Sequence, residues 1–103
     1  MKIFVDPRIE DFLEKLTSVE KARLRRYRKL LEEHGLSLPE PYLRKLGKDL
    51  WELRPGNGRI LFTGKKGRII FAHAFYKKTQ KTPVKELKVA KSRILEYEKE
   101  GLL

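Results

Sequence analysis

The chain contains no cysteine among its 103 residues, so it can carry neither a disulfide framework nor a cysteine-ligated zinc site. That absence fits a reducing, cytoplasmic setting. No apolar run approaches the ~18 residues of a membrane span, and the first residues lack the charged-then-apolar layout of a signal peptide. No membrane partner is expected. Repeats, linkers and low-complexity segments are also missing. The expectation is one domain over residues 1–103, with a modest core and no room for a second. Acidic residues are scarce: 14 Asp and Glu stand against 25 Lys and Arg, a formal net charge of +11.

The excess is uneven. Residues 1–35 hold 9 basic and 7 acidic side chains, residues 36–82 hold 11 and 3, and residues 83–103 hold 5 and 4. Segregated positive charge concentrates polyanions and speeds their encounter. Nucleic acid is therefore the expected partner class, with the middle of the chain as its contact.

That middle reads as strands. Apolar runs at Leu50–Leu53, Arg59–Phe62 and Arg68–Tyr76 are separated by Pro55-Gly56-Asn57-Gly58 and Gly64-Lys65-Lys66-Gly67, which predicts a three-stranded antiparallel meander. Before it, Lys2-Ile3-Phe4-Val5 predicts a first strand, and Asp6-Pro7 a cap opening a short helix that ends near Leu16. Thr17-Ser18-Val19-Glu20 has capping-box spacing, for a helix running to His34 and stopping at Gly35 with Leu24, Tyr27 and Leu31 buried. On this helix Lys21, Arg25, Arg28 and Lys29 lie off the buried stripe, as a solvated face or a phosphate contact. Residues 36 to 49, with Pro39 and Pro41, predict a loop holding at most one helical turn around Tyr42 to Leu46. Thr82-Pro83 then opens a last helix to about Lys99, with Leu87, Ala90, Ile94 and Tyr97 as its stripe. Strand, helix, helix, three strands and helix make an α+β chain, its early helices packed on one face of a mainly antiparallel sheet.

Strand alternation sends Trp51, Leu53, Ile60 and Phe62 to the core, and Leu50, Glu52, Arg54 and Arg59 to the open face. On the third strand Ile69, Phe71, His73 and Phe75 share one side, but both sides are apolar, so the face of His73 stays open. The candidate constellation is Glu52, Arg54 and Arg59, joined by Lys77, Lys78 and Lys81 from the end of that strand. Further candidate RNA contacts are Lys45, Lys48 and Arg68.

The runs Leu50-Trp51-Glu52-Leu53-Arg54, Gly58-Arg59-Ile60, His73-Ala74-Phe75 and Lys77-Lys78-Thr79-Gln80-Lys81-Thr82-Pro83 closely resemble the phage Gp49-like, HigB-type branch of the RelE/ParE toxin superfamily. The resemblance extends over nearly the whole chain. It implies a RelE-like fold and the toxin half of a type II toxin–antitoxin pair, a ribosome-dependent ribonuclease that cuts mRNA and is held inactive by a helix-turn-helix antitoxin. It implies no metal and no cofactor. In such chemistry the ribose 2′-OH attacks the adjacent phosphorus, leaving a cyclic phosphate and a free 5′-OH. A proton acceptor, a proton donor and cations at the charged oxygens are required.

By that resemblance Arg59 matches the family's arginine on the scissile phosphate, and Lys77, Lys78, Glu52 and His73 are the candidate proton carriers. Two departures stand out. Many relatives have a catalytic histidine or tyrosine close to the C-terminus, where this chain reads Glu100-Gly101-Leu102-Leu103. Some carry lysines where Leu50 and Glu52 stand here. A gyrase inhibitor of the same fold and a non-catalytic RNA- or ribosome-binding domain are the alternative readings.

Overall fold

Capping chemistry sets the first half of the chain. In the computed structural model, which describes residues 1–39 and 42–103, Asp6 accepts the backbone N–H of Arg8 and Pro7 opens a 3-10 turn, Pro7–Ile9. The turn runs into a short helix α1, Glu10–Glu14. Thr17 and Glu20 form the expected capping box at the start of α2, Ser18–His34, and Gly35 ends it at φ +62. The predicted single helix before Leu16 is thus two short pieces.

The sheet has five strands. β1 (Lys2–Val5) lies at one edge, followed in space by β5 (Arg68–Tyr76), β4 (Gly58–Lys65), β3 (Leu50–Leu53) and β2 (Leu43–Gly47). β1 runs parallel to β5 and every other pairing is antiparallel. The meander therefore has four strands rather than three. β2 occupies the stretch expected to be a loop with a helical turn around Tyr42 to Leu46; the part of that expectation at residues 40 and 41 lies outside the described residues. The β4–β5 turn is narrower than predicted, with only Lys66 and Gly67 at positive φ and Gly64 paired inside the ladder.

The two faces are covered by different helices. Leu24, Tyr27 and Leu31 of α2, with Leu16 ahead of it, pack on Leu53, Ile60, Phe62, Ile69 and Phe71. The last helix, α3 (Val84–Lys99), lies on the opposite face, its Ala90 and Ile94 against Leu50, Leu61, Ala72 and Phe75. One-face packing thus describes the early helices alone, and Leu50, expected on the open side, is buried beneath α3.

A bulge in β5 explains the ambiguity on that strand. Leu61 pairs with His73 and Phe62 with Phe71, so Ala72 is an extra residue. An extra residue reverses the alternation beyond it. Ile69 and Phe71 accordingly face α2 whereas His73 and Phe75 face α3, and the expected common side for all four holds only in pairs.

Candidate functional site

α3 covers only part of its face. Between its N-terminus and the β2–β4 end of the sheet, Glu52 of β3 and Arg59 of β4 lie beneath the segment from Lys77 to Thr82. Glu52 is 1 % exposed and Arg59 9 %. A buried charge demands partners. Glu52 Oε1 accepts from Arg54 Nε at 2.7 Å and stands 3.9 Å from Arg59 Nε, while Oε2 accepts from Thr82 Oγ1 at 2.8 Å. One carboxylate therefore binds two arginines on one side and the overlying segment on the other.

Arg59 is fixed from its other end. Its Nη1 donates to the carbonyls of Gly56, in the β3–β4 turn, and Gly58, where β4 begins. Burial pushes its pKa below the usual guanidinium value; the Glu52 charge opposes that and Arg54 reinforces it. A guanidinium remains charged regardless.

The same turn is braced from the α2 side. Glu20, 8 % exposed, accepts the backbone N–H of Asn57 at 2.9 Å and of Gly58 at 3.2 Å through Oε2, while Oε1 completes the capping box at Thr17. The backbone hydrogen bond at Thr17 first, then those from Gly58 and Asn57, hold its pKa below the ordinary carboxylate value against the effect of burial. Glycine is needed at position 56 for space: a Cβ there would come within 2.6 Å of Glu20 Oε2. Lys77 also joins the turn, its backbone N–H donating to Asn57 O at 2.8 Å.

The residual space over Arg59 is small, about 10 Å³, lined by Glu52, Arg59, Phe75, Lys77 and the segment Thr79–Thr82. That is room for one water at most. Beside it opens a hollow of about 330 Å³ lined by Arg44, Leu46, Gln80, Lys81, Thr82 and Leu87. The two spaces share Gln80, Lys81 and Thr82. A phosphate enters above Arg59 only if this shared segment shifts.

The structure brings Glu52, Arg54, Arg59, Lys77 and Lys81 together. Lys78 is adjacent in sequence but exposed and outside the lining. Three candidates lie elsewhere. Lys45 is on the α2 side of the sheet, its Nζ 5.6 Å from the Trp51 ring. Lys48 borders a separate hollow with Lys65, Lys91 and Glu98. Arg68 is at the far end of β5, donating to Leu102 O. His73 does face α3, but both its ring nitrogens are engaged: Nε2 lies 2.9 Å from Glu86 Oε1, and Nδ1 3.4 Å from Arg93 Nη1.

Reasoning from the sequence missed Arg44, Gln80 and Thr82. Arg44 pairs across the ladder with Glu52, a position visible only once β2 is known to be a strand. Its neighbours gave no period-two signal, because Leu43 enters one core and Leu46 the other. Thr82 was expected to cap α3; Pro83 occupies the cap and makes no side-chain bond, leaving the Thr82 hydroxyl for Glu52. Tyr97 lies away from the cleft, its hydroxyl donating to Asp6 Oδ2 at 2.8 Å.

An α+β protein with arginines gathered around a buried carboxylate, beneath a lysine-bearing segment, is suited to meet a phosphate or another oxyanion. Residues 11–95 match the phage-derived Gp49-like protein family, and the chain belongs to it, a family of RelE/HigB-type toxins. The α+β architecture agrees with a RelE-like fold. Comparison with curated proteins gave no match. Membership makes this a toxin-like protein and implies a cognate antitoxin as its partner. Among the described residues no helix is long and apolar enough to cross a membrane.

Proposed function

We propose that this toxin-like protein is an mRNA endoribonuclease acting on translating ribosomes, with the Glu52–Arg59 cleft as its catalytic site. The observation that carries the reading is Arg59, held beside a buried carboxylate and under Lys77 and Lys81. In the reaction the 2′-oxygen attacks phosphorus, the P–O5′ bond breaks, and negative charge grows on the non-bridging oxygens. Arg59 stabilises that charge, pre-aimed by the carbonyls of Gly56 and Gly58. Glu52 positions the arginines, since Arg54 and Thr82 already take its oxygens. Lys77 is the preferred proton carrier, because among the described residues its side chain has no hydrogen bond or ion pair and it lines the space over Arg59. His73 serves better as a brace between β5 and α3.

Primer extension on a defined mRNA in a cell-free translation system tests this. Codon-phased cuts are expected from the wild type and none from Arg59→Ala, with Lys77→Ala reporting the proton carrier. Uncut mRNA in the presence of folded wild-type protein overturns the reading. A non-catalytic RNA-binding role is the second reading, favoured by the bonding of Tyr97 to Asp6, which leaves no C-terminal aromatic acid in the cleft.

A further inference from the structure

Between Glu20 and Glu32, helix α2 has no carboxylate and six cations: Lys21, Arg23, Arg25, Arg26, Arg28 and Lys29. At 3.6 residues per turn, Lys21, Arg25, Arg28 and Lys29 form one stripe about 12 Å long, flanking the buried line of Leu24, Tyr27 and Leu31. Among the described residues, none of the six lies within ion-pair distance of a carboxylate. Arg23 reaches only the Pro55 carbonyl, and Arg26 and Arg28 lie over the rings of Tyr27 and Phe71.

Folding does not account for this. Like charges spaced three and four apart weaken a helix, so the stripe works against α2 in the isolated chain. A protein partner fits it poorly, because such interfaces, although rich in arginine, are built around an apolar centre. From Lys21 to Lys29 the helix presents no exposed large apolar side chain. What remains is a polyanion, whose regularly spaced phosphates reward a row of cations without requiring an apolar partner. α2 also packs on the sheet face opposite to the one that holds Glu52 and Arg59.

We propose that the outer face of α2 is a second polyanion surface, fitted to the phosphate backbone of a folded RNA, that holds the protein from behind and leaves the cleft open. It requires no chemistry at Arg59 and so stands apart from the cleavage reading.

The test is binding to a short blunt RNA duplex, followed by fluorescence anisotropy between about 0.05 and 0.3 M salt. The variant carries Lys21→Gln, Arg25→Gln, Arg28→Gln and Lys29→Gln, and its comparator carries Lys2→Gln, Lys15→Gln, Lys66→Gln and Lys99→Gln, four scattered exposed lysines with the same charge change. Glutamine is a good helix former, so α2 should persist in the circular dichroism spectrum. The stripe variant is expected to bind about tenfold or more weakly, with a salt slope shallower by about one for each phosphate it no longer neutralises. The comparator should stay within about twofold of wild type. If the fourfold variant melts early, Arg25→Gln with Lys29→Gln, both exposed, should carry about half of the loss. Equal losses in stripe and comparator would reduce the effect to net charge and overturn the proposal. Unchanged duplex binding by the stripe variant would also overturn it and turn the search to an acidic protein. Absence of mRNA cleavage by the wild-type protein, with its duplex binding intact and lost in the stripe variant, counts only against the cleft.

Discussion

The two faces of the sheet use burial differently. Under α2 the buried side chains are almost all apolar, and Leu31, Leu53, Ile60, Phe62 and Phe71 are fully shielded. Under α3 the apolar contact is shorter, and at its end Glu52 is as deeply buried as Leu50. Burial on the first face yields stability in proportion to apolar area. On the second, desolvating a carboxylate and an arginine opposes folding and is offset by the bonds Glu52 accepts from Arg54 and Thr82 and those Arg59 donates to the Gly56 and Gly58 carbonyls. The difference separates the part of the protein that holds it together from the part that is poised to bind.

The largest expected effect breaks the apolar face. Leu31→Ala should cost about 3 kcal/mol of unfolding free energy in urea titration, from lost transfer energy and the cavity left behind. Cleavage per folded molecule should be unchanged. Close behind, Glu52→Ala leaves the Arg54 and Arg59 charges without their carboxylate. The loss expected is about 2–3 kcal/mol, below the usual range for a broken buried pair because Arg54 is about a third exposed. Here cleavage should collapse as well. A Glu52→Ala protein that cuts mRNA at the wild-type rate would erase the contrast between the faces.

Asp6 sharpens the comparison from the seam between β1 and α3. Burial alone would raise its pKa, but hydrogen bonds from the Arg8 side chain and backbone and from Tyr97 outweigh it and hold the group at about 2. The folded carboxyl thus ionises more readily than the unfolded one. Its contribution is present above the unfolded value near 4 and disappears as pH falls through about 2; the shift is worth about 2 kcal/mol. Urea midpoints should fall over that window in the wild type, and much less in Asp6→Asn, which should be weaker at neutral pH. The smallest effect concerns Thr63, whose buried hydroxyl has no partner among the described residues. Thr63→Val should be neutral or stabilising by up to about 1 kcal/mol in the same titration.

The elements with their own local chemistry were legible in the sequence. The capping box at Thr17 and Glu20, the Asp6-Pro7 start and the apolar strands from Leu50 onward each carry their signal within a few residues. Those whose reason lies across the fold were not. β2 exists because β3 pairs with it, and the side of His73 depends on a bulge opposite Leu61 and Phe62. At the site, alternation put Glu52, Arg54 and Arg59 on one side of the sheet, but read that side as open, whereas Glu52 and Arg59 are buried beneath the Lys77–Thr82 segment; Arg44 needed the β2 register and Thr82 the path of that segment. The cations of α2 were legible as residues, with a solvated face and a phosphate contact both open, but the regional charge count did not single the helix out. Counted over residues 1–35, the acids of α1 and of the end of α2 cancel a helix whose centre is wholly basic.

If Arg59 meets the scissile phosphate in the α3-side cleft, its planar fork should matter as well as its charge. The most direct measurement is the single-turnover rate of mRNA cleavage on programmed ribosomes by wild type, Arg59→Lys and Arg59→Ala, each first matched for thermal melting. Lysine keeps the charge but not the planar fork that the Gly56 and Gly58 carbonyls aim. Both variants are expected to lose about 100-fold or more in rate. Cleavage by Arg59→Ala at the wild-type rate would remove Arg59 from the reaction.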